Sequence, residues 1–387
     1  MKKSIVFFVL CLMLSFFTFA GQSQIVCYAA AETKTDLKIS AKSALLVDAA
    51  TNTVVYEKNA HERLPIASMT KLATLALVFK CVDSGNLKVD ELVTVSQRAS
   101  KIGGSSAFLD AGSKYKVGEL IKTVIVASAN DSSVALAEYI AGSEEVFVER
   151  MNKFASDLKL EDTHFENVTG LPAENHYSSA HDLVKIYKVV AGNELYKKYA
   201  KIWMDDFVHP SGRKTGLVNT NRLVRTYDGI EGGKTGFTNS ARFCLTASAC
   251  RNSTRLIGVL IGVNDSKTRF AEMTKMFNYG FANYETKMIV NSEIPITIMS
   301  AQRSREKFEV YAKNDSVKFF KKDEACEFTT DFQLNNVKAP LCAGDVVGKL
   351  FVFDKNNMVV DEIDLVTKCD VSAEKFKHGL QRIVQAW

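Results

Sequence analysis

The spacing of apolar residues changes character three times along the chain. Lys2 and Lys3 precede an apolar run from Ile5 to Ala20, broken only by Ser15 and Thr18, and Ala29-Ala30-Ala31 follows. A basic start, an apolar middle and a small-residue exit predict a signal peptide over residues 1–31. An uncleaved anchor helix is the other reading of that run. Residues 41–58 predict two short strands around an Ala-Thr-Asn turn. After Pro65 a long helical pattern runs to Ser84-Gly85, and residues 117–159 carry helical patterns broken at SANDSS. Residues 223–263 are mostly strand-like, and 267–284 return to helical period. Strand, helical block, strands and a closing helix predict a sheet flanked by helices over residues 35–287.

Beyond residue 288 the period changes to two. EIPITIMSA, KFEVYAK, DVVGKLFVFDK and MVVDEIDLVTK alternate apolar and polar positions between turn residues, which predicts a small all-β domain over 288–370. Residues 372–387 return to helical period. There Phe376, Leu380, Ile383, Val384 and Trp387 share one arc, opposite Lys375, Lys377, His378, Gln381, Arg382 and Gln385. Sixteen residues span only ~24 Å of helix, too short to cross a bilayer. Trp and Phe facing one way with Lys and Arg facing the other suit a helix lying in a membrane interface. Packing on the β domain is the alternative.

Composition narrows the function classes. The 387 residues are 47% apolar and 24% charged, with only 5 prolines, which excludes wholesale disorder and low-complexity architecture. The net charge is +5, or +3 without Lys2 and Lys3. So mild a balance over this length is no nucleic-acid footprint, but it is compatible with an anionic surface. Beyond the leader the cysteines are Cys81, Cys244, Cys250, Cys326, Cys342 and Cys369, none at C-x-x-C spacing, and buried free thiols are expected. Scattered histidines without H-E-x-x-H give no reason to expect a metal, and no cofactor is required.

Three short motifs carry candidate chemistry. Ser68-Met69-Thr70-Lys71 places a hydroxyl and an amine on one helix face, with Ser68 at the positive end of the dipole. A serine becomes a nucleophile when a base takes its proton, and a desolvated lysine near other cations is neutral enough to be that base. Ser128-Ala129-Asn130 breaks a helical block, as residues that bond local backbone do. Lys234-Thr235-Gly236 follows Gly232-Gly233 in a strand-like run, where Lys and Thr suit a carboxylate and Gly permits close approach. Lys214-Thr215-Gly216 repeats the tripeptide within HPSGRKTGLVN, a polar stretch with turn character, and the strand context favours the second copy.

Each motif is weak alone, but their order and spacing are those of penicillin-binding proteins and serine β-lactamases. PIASMTKLAT, ASANDSSVALAE, THFENVTGLPAENHYSSAHDLVKI, YDGIEGGKTGFTNSARFCLTASA and APLCAGDVVGKLFVFD extend the likeness over residues 35–387. The chain resembles the low-molecular-weight penicillin-binding proteins, the serine-type D-alanyl-D-alanine carboxypeptidases. The resemblance implies an α/β (α+β) fold of the β-lactamase-like transpeptidase type, followed by the β domain. It implies acyl transfer from peptidoglycan stem peptides ending in D-Ala-D-Ala, with β-lactams as covalent inhibitors. Ser68 would be the acyl-ester nucleophile, Lys71 the general base, Ser128 a proton relay whose pKa Lys234 lowers, and Asn130 a catalytic residue that bonds the substrate amide and positions Lys71. Lys234, Thr235 and Gly236 would face the terminal carboxylate, with the Phe237 N–H in the oxyanion hole and Arg269 nearby. It further implies export and peripheral attachment to the outer face of the cell membrane through the C-terminal helix.

The chain departs from the family pattern at Arg242, where Gly is usual after Ala241, and at Phe237, where some members carry His. Glu166 follows Asn130 at a separation that suits a deacylating Glu in β-lactamases, but ENVTG is not E-x-E-L-N, and no catalytic role is expected. His176 and Asp182 read as structural contacts. A β-lactamase and a non-catalytic wall-binding protein are the competing classes. The missing E-x-E-L-N argues against the first, and intact Ser68, Lys71, Ser128, Asn130 and Lys234 argue against the second.

Overall fold

The computed structural model describes residues 37–324 and 326–374. The signal peptide expected over 1–31 and nearly all of the helix expected over 372–387 lie outside the described residues.

The central sheet has five antiparallel strands in the order Val54–Lys58, Ser43–Asp48, Thr254–Val263, Arg242–Arg251, Ile230–Thr238. Its middle strands are apolar on both faces because both faces are covered. In Ser43–Asp48, Leu45 and Val47 point into the larger core, while Ala44 and Leu46 point into the smaller one. The larger core is closed by the helices Lys71–Asp83, Val117–Val126, Asn130–Ala141, Glu144–Asp157 and Ala180–Gly192. The smaller core is closed by Ser266–Asn283, which sets Met273 and Phe277 against Leu256 and Leu260. Asp265 caps that helix by accepting the Thr268 N–H.

The strand-like reading of 223–263 needs one correction. Leu223–Thr226 is a short helix, and the strand bearing the second K-T-G starts at Ile230. Apolar Leu223 and Val224 mimic a strand in so short a window, but only Leu223 is buried. The C-terminal part is all β, with five antiparallel strands in the order Pro295–Ser300, Lys307–Ala312, Val359–Thr367, Val346–Phe353, Thr329–Leu334. A two-stranded ribbon joins Tyr284–Val290 to Ser316–Lys321. Phe308, Val310, Leu350, Val352, Ile363 and Leu365 form its core at the period-two positions.

All six described cysteines are free thiols, but Cys244 alone among them is fully buried, and Cys342 and Cys369 are exposed. The expectation of burial fails for the latter two because they lie in the loop Cys342–Asp345 and beyond the last strand, Val359–Thr367. Among the described residues no helix is long and apolar enough to cross a membrane.

Candidate active site

Ser68 lies in a 3-10 turn, Ala67–Thr70, which runs into the helix Lys71–Asp83. Ala67 has φ +47°, a left-handed conformation that costs a non-glycine residue roughly 1–2 kcal/mol. Contacts from a neighbouring loop hold it. Thr70 Oγ1 donates to the Ala67 carbonyl at 2.9 Å, and His176 Nε2 lies 2.6 Å from the same hydroxyl. His176 Nδ1 accepts the Glu166 N–H at 3.1 Å, so the ring proton is on Nε2 and points at Thr70. Burial, with His164 nearby, lowers the His176 pKa to about 4, so the ring stays neutral. Gly170 (φ +82°) packs against the turn so closely that a Cβ there would lie 1.9 Å from the Ala67 carbonyl oxygen. His176 is thus a support for the nucleophile turn, while Glu166 is exposed and spends its carboxylate on the Asn175 N–H. Asp182 is buried and accepts from the Asp162 N–H and Thr163 Oγ1, a structural contact.

Two lysine–serine pairs face the site. Lys71 is fully buried, with Nζ 2.9 Å from Ser68 Oγ and 2.8 Å from the Thr169 carbonyl. Burial first, and the charge of Lys234 second, hold its ammonium pKa well below the ordinary 10.5, with Asp131 opposing. Lys234 is 1% exposed and donates to Ser128 Oγ at 2.7 Å and to the Thr235 carbonyl at 2.9 Å. Burial, then the charge of Arg269, lowers it to about 7. Ser128 (φ +62°) sits in the break between the helices Val117–Val126 and Asn130–Ala141. Asn130 opens the second of these. Its Nδ2 donates to the Gly103 carbonyl at 2.5 Å, and its Oδ1 is buried without a partner among the described residues.

Gly236 explains the glycine of the third motif. A Cβ there would meet the Ile66 carbonyl at 2.7 Å and the Ser68 nitrogen at 3.2 Å, so only glycine lets this edge strand lie against the nucleophile turn. Phe237 is 49% exposed and stacks on Phe243 at 4.3 Å between ring centroids. Arg269 is buried, but its Nη1 is spent on the Gly236 and Cys244 carbonyls at 3.2 and 3.1 Å, which ties it to the strand first and to the cleft second. Ser68, Ser128, Asn130, Thr235, Gly236, Phe237 and Arg269 line one cleft of about 440 Å³. Lys71 and Lys234 lie behind it, each within hydrogen-bond reach of a lining hydroxyl. A lysine held toward its neutral form beside one hydroxyl and a second buried lysine beside another suit nucleophilic acyl transfer on a substrate bearing a carboxylate.

Lys214-Thr215-Gly216 also lies on a strand, Lys214–Val218, paired with Met204–Val208. Strand context therefore does not separate the copies; position does. Lys214 is exposed and pairs with Asp206 at 3.2 Å, and this copy lines no part of the cleft. Arg242 opens the strand Arg242–Arg251 with φ +57°, a left-handed backbone that glycine adopts without strain, and its exposed guanidinium donates to the Asn264 carbonyl.

Sequence reasoning missed Asp131. Its buried carboxylate accepts from Ser106 Oγ and from the Ala107 and Leu109 N–H groups, which fixes the loop that carries Gly103 to Asn130. Its only sequence signal was adjacency to Asn130. Among the described residues no cluster of His, Cys, Asp and Glu is arranged to hold a metal.

The Lys234 pKa also fixes a stability trend. With a folded value of about 7 against 10.5 in the unfolded chain, the unfolded state binds more protons between those limits. Stability should therefore rise with pH across pH 7–10. Urea midpoints measured across that range should climb in the native chain and climb less in Lys234→Met; identical slopes would contradict a lowered pKa for the buried Lys234.

Comparison with known proteins agrees with this geometry. A family model described as D-alanyl-D-alanine carboxypeptidase matches residues 29–278. A second, described as the C-terminal domain of penicillin-binding protein 5, matches residues 284–373. The chain is 37% identical to D-alanyl-D-alanine carboxypeptidase DacF of Bacillus subtilis, covering 91% of each chain. It is 32% identical to DacD of Escherichia coli, covering 83% of this chain and 84% of that one. A crystal structure of penicillin binding protein 5 from Haemophilus influenzae superposes with a TM-score of 0.71 at 30% identity, covering 86% of this chain and 98% of that one. The chain belongs to the D-alanyl-D-alanine carboxypeptidase family and is a serine-type carboxypeptidase of peptidoglycan metabolism.

Proposed function

We propose that the enzyme works through an acyl-ester on Ser68, formed by attack on the penultimate D-alanine carbonyl of a stem pentapeptide. The observation that carries this is the pairing of each buried lysine with a hydroxyl, Lys71 with Ser68 and Lys234 with Ser128. Neutral Lys71 takes the Ser68 proton as Oγ bonds to the carbonyl carbon. The Ser68 and Phe237 N–H groups receive the oxyanion, worth about 2.7–4 kcal/mol per donor. Collapse of the tetrahedral adduct breaks the peptide bond, and Ser128 passes a proton to the departing D-Ala amine. The charge of Lys234 keeps that hydroxyl acidic, and Lys234 and Thr235 hold the terminal carboxylate. Asn130, with Oδ1 unpartnered and Nδ2 fixed on Gly103, is poised to accept the substrate amide N–H. Arg269 supports the carboxylate end by holding the Gly236 carbonyl. Water then cleaves the ester. β-Lactams acylate Ser68 because they mimic the D-Ala-D-Ala end. D-Alanine released from a synthetic stem pentapeptide tests the assignment; a peptide left intact would reject it.

The leader read over 1–31 directs this chemistry outside the cytoplasmic membrane, and the amphipathic sequence pattern of residues 372–387 suits attachment to the membrane's outer face. Val371 pairs with Leu341, and the Glu374 N–H donates to the Arg303 carbonyl, so a cut after Glu374 spares the β domain. The mature chain should sediment with anionic liposomes, and the chain ending at Glu374 should stay in the supernatant with undiminished activity on soluble peptide. Equal sedimentation of both would place the anchor elsewhere.

A further inference from the structure

The first K-T-G copy has no place in the acyl-transfer chemistry, yet the hairpin that carries it is tied to the active-site cleft through one loop. Its strands, Met204–Val208 and Lys214–Val218, are joined by a turn in which the His209 N–H donates to the Arg213 carbonyl. Arg213 Nη2 donates to the Phe108 carbonyl at 2.6 Å and to Asp110 Oδ1 at 2.9 Å, and lies 3.0 Å from His209 Nδ1. A guanidinium only donates, so His209 Nδ1 accepts, and the ring proton sits on Nε2, 2.8 Å from Thr215 Oγ1. Buried His209 thus aims Arg213 at the loop, and the threonine of the first copy fixes His209. Tyr115 holds Asp110 from its other side, donating to Oδ2 at 3.2 Å.

The loop so held runs from Gly103 to Asp110 and meets the reacting groups at its other end. The Gly103 carbonyl accepts from Asn130 Nδ2 at 2.5 Å, and the Ser105 carbonyl accepts the Asn130 N–H at 2.7 Å. Gly104 and Ser105 line the cleft with Ser68 and Ser128. This contact has no slack, since a Cβ on Gly104 would lie 2.6 Å from Asn130 Nδ2. Between the two ends, buried Asp131 binds Ser106, Ala107 and Leu109, while exposed Arg213 binds Phe108 and Asp110. Phe108 has φ +61°, a conformation a phenylalanine keeps only where its surroundings impose it. Its ring is 63% exposed, so backbone hydrogen bonds and not burial of the ring impose it.

Resting on the Ser68 acyl-transfer reading above, we infer that the first K-T-G hairpin is a latch for the active-site loop, in which Arg213, seated on Asp110 and the Phe108 carbonyl, is a positioning residue that sets Asn130 against the bound acyl group. Arg213 acts through residues 103–110 and lines no part of the cleft.

Two rates test this in the mature chain: kcat/KM on a synthetic stem pentapeptide, and acylation of Ser68 by benzylpenicillin followed by intact mass. Arg213→Ala should lower both by about three- to ten-fold, the range of charge-assisted bonds discounted for a half-exposed pair. Arg213→Lys keeps a cation beside Asp110 without the planar fork and should restore part of the loss. Lys214→Ala, on the same hairpin but paired with Asp206, should match the native chain. Asn130→Ala separates positioning from general damage. Once the Asn130 amide is gone, adding Arg213→Ala should change the acylation rate by less than about two-fold. Native rates in Arg213→Ala, or its full loss repeated on top of Asn130→Ala, overturn the latch. Penicillin acylation without D-alanine release in the native chain rejects the carboxypeptidase reading, and the acylation rates alone then decide the latch.

Discussion

Ser68→Ala should abolish D-alanine release and covalent penicillin binding together, with kcat/KM falling about 10⁴-fold or more. Both activities fall because both need the same Oγ, 2.9 Å from the Lys71 amine. The fold should survive. Ser68 lies in a turn held by its neighbours, through Thr70 to His176 and through Gly170 against Ala67, and none of these contacts uses the Ser68 hydroxyl. Circular dichroism and a thermal melt check this. Loss of one Oγ leaves Lys71 its bond to the Thr169 carbonyl, so the buried amine keeps a partner. A penicillin adduct that persists in Ser68→Ala would assign the nucleophile to another residue.

The second large effect separates the two K-T-G copies. Lys234→Ala removes the bond to Ser128 and, on the proposed mechanism, the contact to the substrate carboxylate in one step. Two charge-assisted interactions at a buried position amount to about 3–4 kcal/mol, or roughly 10²–10³-fold in kcat/KM. Lys214→Ala removes an exposed pair with Asp206, both side chains more than half exposed, and such pairs contribute about 0–1 kcal/mol of stability and nothing to the reaction. Steady-state kinetics on the pentapeptide should show the first variant crippled and the second near native. The reverse result would move the substrate carboxylate to the hairpin.

Much of the site was legible because its chemistry needs particular residues at fixed local spacing. S-x-x-K is read along one turn, and the structure sets those side chains 2.9 Å apart. The two-sided apolar strands and the switch to period two beyond residue 288 followed from burial. Other features depend on contacts distant in sequence. The pairing of Lys234 with Ser128 spans 106 positions, and the His176 support for Thr70 spans another 106. Asp131 could not be separated from any helix-opening acid until its loop was seen folded onto it. The strand at Lys214 was hidden by a polar sequence, because only Leu217 of its residues is buried. Leu223–Thr226 failed the other way, where apolar neighbours in a short helix imitated a strand.

The central claim is a covalent acyl-enzyme on Ser68. Intact-mass spectrometry of the mature chain mixed with benzylpenicillin, followed over time and then digested, tests it most directly. The account predicts one adduct per chain, carried on the peptide that contains Ser68 and lasting well beyond the mixing time. No adduct and no turnover, or an adduct on any other residue, would contradict it, and rapid turnover would make the enzyme a β-lactamase.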